Sequence, residues 1–187
     1  MSTKLLRLLL CLSLLWTSMG YAASAQLVNP GRVLTFGDGL TTAGDNVAMI
    51  FSNVGGGTGR YSDRFDLGAG AHPAWFELRC WVSLTGTLTL GMLLEYYVAS
   101  SDGTNNDAGW GTTATTMTSD HRYVITLAGI ARVYQTTQNT TMYFSWRNIY
   151  LPSRYGYVAF WNATGISTET STSKHRCTLT ATTPEMQ

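Results

Sequence analysis

The sequence predicts an all-β protein: an antiparallel β-sandwich or jelly-roll-like single domain behind an N-terminal hydrophobic leader helix. Three observations carry this. Several stretches alternate apolar and polar residues with a period of two, the pattern of half-buried strands. Only 12% of the residues are charged, about half the usual share, while Thr, Gly and aromatic residues are plentiful, as on a hydroxyl-rich sheet. Beyond the leader no segment has a convincing helical period, and about eight strands in a chain of this length make two packed layers.

The leader covers residues 1–25. Lys4 and Arg7 form a short basic start, residues 8–15 read LLLCLSLL, and Ala23 and Ala25 place a small-x-small cleavage pattern before Gln26. This is the layout of a secretory signal peptide. The apolar run is shorter than the ~20 residues that span a bilayer. Met19 is an alternative start that would remove the pattern. The sandwich domain takes residues 26–187. Loss of the leader removes two cations and shifts the formal net charge from +1 to −1, leaving Lys174 as the one lysine. Such a balance gives no steering toward nucleic acid or anionic lipid. No nucleic-acid partner is expected, and no membrane in the mature form.

The elements follow in order. Residues 32–36, 47–53 and 60–67 are weak strand candidates. Residues 74–84, AWFELRCWVSL, alternate most clearly. Phe76, Leu78, Cys80 and Val82 share one face; Glu77, Arg79, Trp81 and Ser83 share the other. After Thr85-Gly86 the chain resumes as TLTLGMLLEYYVAS, residues 87–100, and the two runs are expected to form a hairpin of long strands. Residues 121–135 are ambiguous. Val124, Leu127, Ala128 and Ala131 fit a helical face, but the β-branched residues and Gly129 favour a strand. Residues 140–150, 155–161 and 175–181 complete the set, the last closing the sheet. Gly-rich connections occupy residues 55–59 and 67–73. The longest loop runs from 100 to 120 without periodicity, and loops of that length are usually functional or mobile.

Few residues suggest chemistry. His72, His121 and His175 lack metal-ligand spacing. The run GGGTGR, residues 55–60, has neither the Lys-Ser/Thr nor the following helix of a phosphate loop. Glu77 and Glu95 on adjacent strands would offer a glycosidase-like carboxylate pair, yet exposed acids occur on any sandwich. Asp102, Asn105 and Asp107 supply oxygen ligands without EF-hand spacing. The expectation is therefore no catalytic residue, no metal site and no cofactor. Cys80 and Cys177 both lie on inward strand faces. They are a disulfide candidate if the protein is exported and their strands are neighbours, or two buried thiols otherwise. Among Trp75, Trp81, Trp110, Trp146 and Trp161, most should pack against sheets. Trp110 sits in the longest polar loop, where no strand pattern requires it, and is the candidate surface-binding residue. Asn139 and Asn162 head formal glycosylation sequons.

The order of features resembles a family of small tailed-bacteriophage virion proteins. LTGTLTLGMLLEYYVASSDGTNND, residues 84–107, is similar to a segment in which a "tGt" turn leads to a strand ending in "S-DGTN". LPSRYGYVAFWNATG, residues 151–165, is similar to a closing "lP-yyG-vv-N-tG" element, and HRCTLTATTPE to a terminal "h-v-ytP". The likeness covers roughly residues 60–184, in the same order. It implies a non-enzymatic β-sandwich that decorates or cements the capsid or serves in fibre-like attachment. Its partners would be capsid or other virion proteins and further copies of itself, a trimer among the options. The leader departs from the family, whose members assemble in the host cytoplasm.

Two functional expectations result. The first is a virion structural protein acting through protein–protein contacts. The second is a secreted or periplasmic binding module, with carbohydrate among its candidate ligands. The mass of the native chain separates them, since a start at Gln26 favours export.

Overall fold

A computed structural model describes residues 32–69, 73–104 and 116–182. The leader at 1–25 and Trp110 lie outside the described residues. Eleven strands occur among them: β1 (Val33–Gly37), β2 (Asn46–Ala48), β3 (Thr58–Tyr61), β4 (Phe65–Asp66), β5 (Trp75–Val82), β6 (Leu93–Ser101), β7 (Thr116–Met117), β8 (Thr126–Arg132), β9 (Met142–Tyr150), β10 (Tyr155–Asn162) and β11 (Arg176–Ala181). One sheet has the order β2-β1-β11-β5-β9, the other β7-β3-β10-β6-β8, with β4 also on β10. All pairings are antiparallel except β1 with β2. The chain is an all-β sandwich.

The alternation of β5 holds. Phe76, Leu78, Cys80 and Val82 are buried between the sheets and meet Leu34, Phe36 and Leu179 in one core. Burial of such side chains stabilises a fold by about 1.5–3 kcal/mol each. Tyr96, Val98 and Phe160 fill the same core from the second sheet. The side of the sandwich at β8 and β9 is closed by Trp146, whose ring lies tilted against Tyr96 with centroids 4.9 Å apart. Gly129 of β8 permits this, because a Cβ there would sit 2.0 Å from the Trp146 Nε1.

A second apolar cluster lies on the outside of the second sheet. Tyr61, Tyr97, Ala99, Tyr157, Ala159 and Trp161 of β3, β6 and β10 form it, together with Met117 of the edge strand β7 and Ile125 just before β8. Between these two residues the chain crosses the outer face as the 3-10 helix Ser119–Tyr123, whose Arg122 reaches Glu95 and Trp161.

Several expectations need correction. Strands β5 and β6 form no hairpin; they belong to opposite sheets. The connection between them carries Leu84 and Leu88, which are 0% and 5% exposed. These anchor an arch from one layer to the other, where a hairpin turn would face solvent. The second strand accordingly starts at Leu93, later than the expected residue 87. The last strand does not close its sheet. It lies in the middle, between β1 and β5. Residues 121–135 are a strand only from Thr126, after a short 3-10 helix at Ser119–Tyr123. Residues 60–67 divide into β3 and β4, and residues 47–53 contribute only the end of β2.

Candidate functional site

The register of β5 places its polar face outward against β9. Trp75 stands opposite Tyr150, and Trp81 opposite Tyr143. The first ring pair has centroids 4.9 Å apart, the second 6.3 Å with planes tilted by 36°. Between the pairs lies Glu77. Its carboxylate accepts hydrogen bonds from Arg79 at 3.0 Å, from the Ser145 hydroxyl at 2.8 Å and from Arg147 at 3.4 Å. The bond from Arg79, with help from Ser145 and Arg147, holds the Glu77 carboxyl below its usual range against the opposing effect of burial. A groove of about 500 Å³ beside the second pair is lined by Arg79, Trp81, Tyr143, Ser145 and Thr178. Edge strand β9 is blunted, because the Tyr143 backbone N–H donates to the Tyr134 hydroxyl at 3.0 Å and Asn148 takes a left-handed φ of 59°. Such irregularity discourages strand-to-strand pairing at that edge.

The second sheet carries a different cluster. Arg122, from the 3-10 helix, donates to both Glu95 oxygens at 2.7 and 2.6 Å. The Tyr97 hydroxyl donates to the same carboxylate, and the guanidinium lies 4.9 Å from the centre of the Trp161 ring. Burial, then the neighbouring Glu95, pushes the Tyr97 hydroxyl up to about 12. A bidentate pair this enclosed fixes the loop's return onto the sheet. Removing either partner would strand a charge.

Beside this cluster the edge strand β8 is apolar and open. Leu127 and Ile130 are each 47% exposed, Val124 56% and Tyr123 83%. Leu127 pairs with Tyr97 and Ile130 with Glu95, so both extend the outer surface of the second sheet.

The remaining sequence-derived residues are placed as follows. Cys80 and Cys177 face each other across β5 and β11 and are joined by a disulfide with Cα atoms 4.1 Å apart. Glu77 and Glu95 do not share a site; they point outward from opposite sheets, whose mean planes are about 10 Å apart. This arrangement excludes them as a paired acid and base. His175 is fully buried and structural, its Nδ1 accepting from the Ser83 N–H at 3.2 Å while Nε2 lies 2.8 Å from the Glu169 carbonyl. Burial pushes its pKa down. His121 accepts at Nδ1 from the Thr118 N–H at 3.1 Å. Asp102 accepts from the Thr104 N–H at 2.7 Å in a local turn, whereas Asn105, Asp107 and His72 lie outside the described residues. The Asn162 sequon is closed to modification in the fold, since its side-chain amide is buried and donates to the Val54 and Ile166 carbonyls at 2.9 and 2.6 Å. Asn139 is exposed.

Among the described residues no three His, Cys, Asp or Glu side chains gather as metal ligands. Among the same residues no helix is long and apolar enough to cross a membrane. No family model matches the chain, and no curated protein matches it.

The pairing of Trp81 with Tyr143, and of Glu95 with Arg122, had no local signal. The outward position of Trp81 follows from alternation alone, but its partner on β9 depends on strand order. Glu95 and Arg122 are joined only because a loop folds back over the sheet.

Proposed function

We propose that the chain is a non-catalytic virion structural protein that decorates or cements a phage capsid, or serves in fibre-like attachment, by burying surface against neighbouring proteins and copies of itself. The observation that carries this reading is the open β8 edge, where Leu127 and Ile130 stand 47% exposed beside Val124 and Tyr123. Exposed apolar side chains gathered in one short stretch, Tyr123 to Ile130, are the kind that mark association surfaces. They adjoin the fixed Glu95–Arg122 pair, so the surface is rigid before contact, which limits the ordering cost. A standard interface needs about 800 Å² from each partner, under a tenth of the 10680 Å² that the molecule exposes. The low charge works in the same direction, since little desolvation opposes contact.

The test combines two measurements on the full chain. Light scattering after size exclusion should give a defined oligomer, and Leu127→Asp with Ile130→Asp should reduce it to monomer without lowering its thermal midpoint by more than a few degrees. Mass spectrometry of purified phage particles should find the chain among their proteins. A monomeric wild type that is absent from particles refutes the reading.

A further inference from the structure

We propose that the outer face of the first sheet binds an acidic saccharide, with one sugar ring lying on Trp81 and Tyr143. This inference stands apart from the β8 edge, which belongs to the other sheet.

The groove beside these rings measures about 500 Å³, inside the range of about 300–1,000 Å³ found for small-molecule sites. Its walls are of two kinds. Tyr143 is 68% exposed and, with Trp81, presents ring faces tilted by 36°. Arg79, Ser145 and Thr178 supply its polar wall, and Cys80 and Phe144 complete the lining. A sugar ring has the same division: an apolar C–H face for the aromatic rings and a rim of hydroxyls for hydrogen bonds. An apolar protein surface would fit poorly, because it would bury the guanidinium and hydroxyls without partners. The rings are carried on paired strands, so little conformational freedom is lost on binding.

The site also has length. Trp75 and Tyr150 form a second ring pair at the other end of the same two strands. Trp81 lies six positions along the strand from Trp75, about 20 Å at the strand rise. Glu77, Arg79, Ser145 and Arg147 occupy the interval. An oligomer of several sugar units could lie along this strip.

Charge selects among saccharides. Among the residues of β5, β9 and β11, Arg79, Arg147 and Arg176 stand against one carboxylate, Glu77. That carboxylate is already held by Arg79, Ser145 and Arg147. Arg176 is the register partner of Trp81, but its side chain lies toward Gly37 of β1, so Arg79 is the guanidinium that lines the groove. A carboxylated sugar would meet guanidinium groups able to form charge-assisted hydrogen bonds. A cationic amino sugar would meet repulsion.

The experiment titrates galacturonate oligomers into the full chain. Tryptophan fluorescence and calorimetry follow binding, with cello-oligosaccharides as the neutral control. The acidic oligomer should bind saturably and about tenfold more tightly than the neutral one, the factor that one charge-assisted hydrogen bond supplies. Trp81→Ala and Tyr143→Ala should each weaken binding about tenfold and leave the fold intact by circular dichroism, while Trp81→Phe retains most of the affinity. Arg79→Gln should erase the preference for the acidic oligomer. No saturable response to either oligomer overturns the proposal, as does full binding by Trp81→Ala. Equal binding of acidic and neutral oligomers overturns the charge assignment. Loss of self-association in Trp81→Ala, with no saccharide binding by the wild type, identifies the face as a protein interface and also overturns it.

Discussion

Removing both sulfurs of the β5–β11 link, with Cys80→Ala and Cys177→Ala together, should cost the fold about 5 kcal/mol. The cysteines are 97 residues apart in sequence, and cross-linking a loop of that size removes about 4.7 kcal/mol of chain entropy from the unfolded state. Both residues are almost completely buried, at 1% and 0% exposure. Each truncation therefore also loses about 1 kcal/mol of burial and packing. Residual structure in the unfolded chain offsets part of the sum. Domains of ordinary stability hold about 5–15 kcal/mol, so the variant should be marginal or unfolded at room temperature. Urea unfolding followed by tryptophan fluorescence measures the effect. With a slope of about 2 kcal/mol per molar, the midpoint should fall by about 2–3 M. Wild-type protein reduced with dithiothreitol isolates the loop term, because its sulfurs remain to fill the core. Its midpoint should lie between those of the oxidised protein and the variant. Identical unfolding of oxidised and reduced wild type would refute the reasoning, as would quantitative alkylation of both thiols in the non-reduced denatured chain.

Two further outcomes concern buried polar groups. The Tyr96 hydroxyl is buried in the core without a hydrogen-bond partner among the described residues, and burial pushes its pKa strongly upward. Tyr96→Phe keeps the ring contacts to Trp146 and Phe160, and should raise stability by about 1 kcal/mol; a loss of that size in the same urea assay would show that the hydroxyl is satisfied. His175 folds in its neutral form, with its pKa lowered by burial, so the unfolded chain binds the extra proton as pH falls. Its contribution is complete above about pH 6.5 and declines below it, toward the lower folded value. His121, also lowered by burial, acts in the same direction, and Glu169, Asp38 and Lys174 are the charged groups that act on His175. The urea midpoint should drop between pH 7 and 5, less so in His175→Gln, and a flat midpoint over that interval would contradict the buried neutral imidazole.

The sequence was most legible where side chains alternate on a strand with one wet face. In β5 the inward set Phe76, Leu78, Cys80 and Val82 and the outward Arg79 and Trp81 follow from period two alone. Legibility failed where a decision depends on which layer a strand enters. An arch and a hairpin both join two strands through a turn, and Thr85-Gly86 suits either. The difference lies in Leu84 and Leu88, buried by a second sheet that local pattern cannot reveal. The same applies to β6, whose run Leu94 to Ala99 is buried on both sides, because Arg122 and Ile125 pack against its outer face. The candidate sites were half visible for the same reason. Trp81 and Glu95 could be assigned a side of their own strands, while Tyr143 and Arg122 arrive through tertiary pairing. Trp110, singled out by its unexpected place in the loop, lies outside the described residues.

The central position of β11 sets a timetable for synthesis. As the chain leaves the ribosome, β1 and β5 emerge early, yet each needs β11 as its neighbour. Until residues 176–181 are made, the first sheet stays in two separate pieces, and two strand edges that end in its interior stay open. The second sheet can assemble sooner, since β3, β6, β8 and β10 are all complete by residue 162. The nascent molecule thus passes through a stage with one layer formed and its inner apolar face uncovered. A holding chaperone, or quick release from the ribosome, would protect that stage. A chain stopped before β11 would remain in it, prone to aggregate whatever the stability of the finished fold.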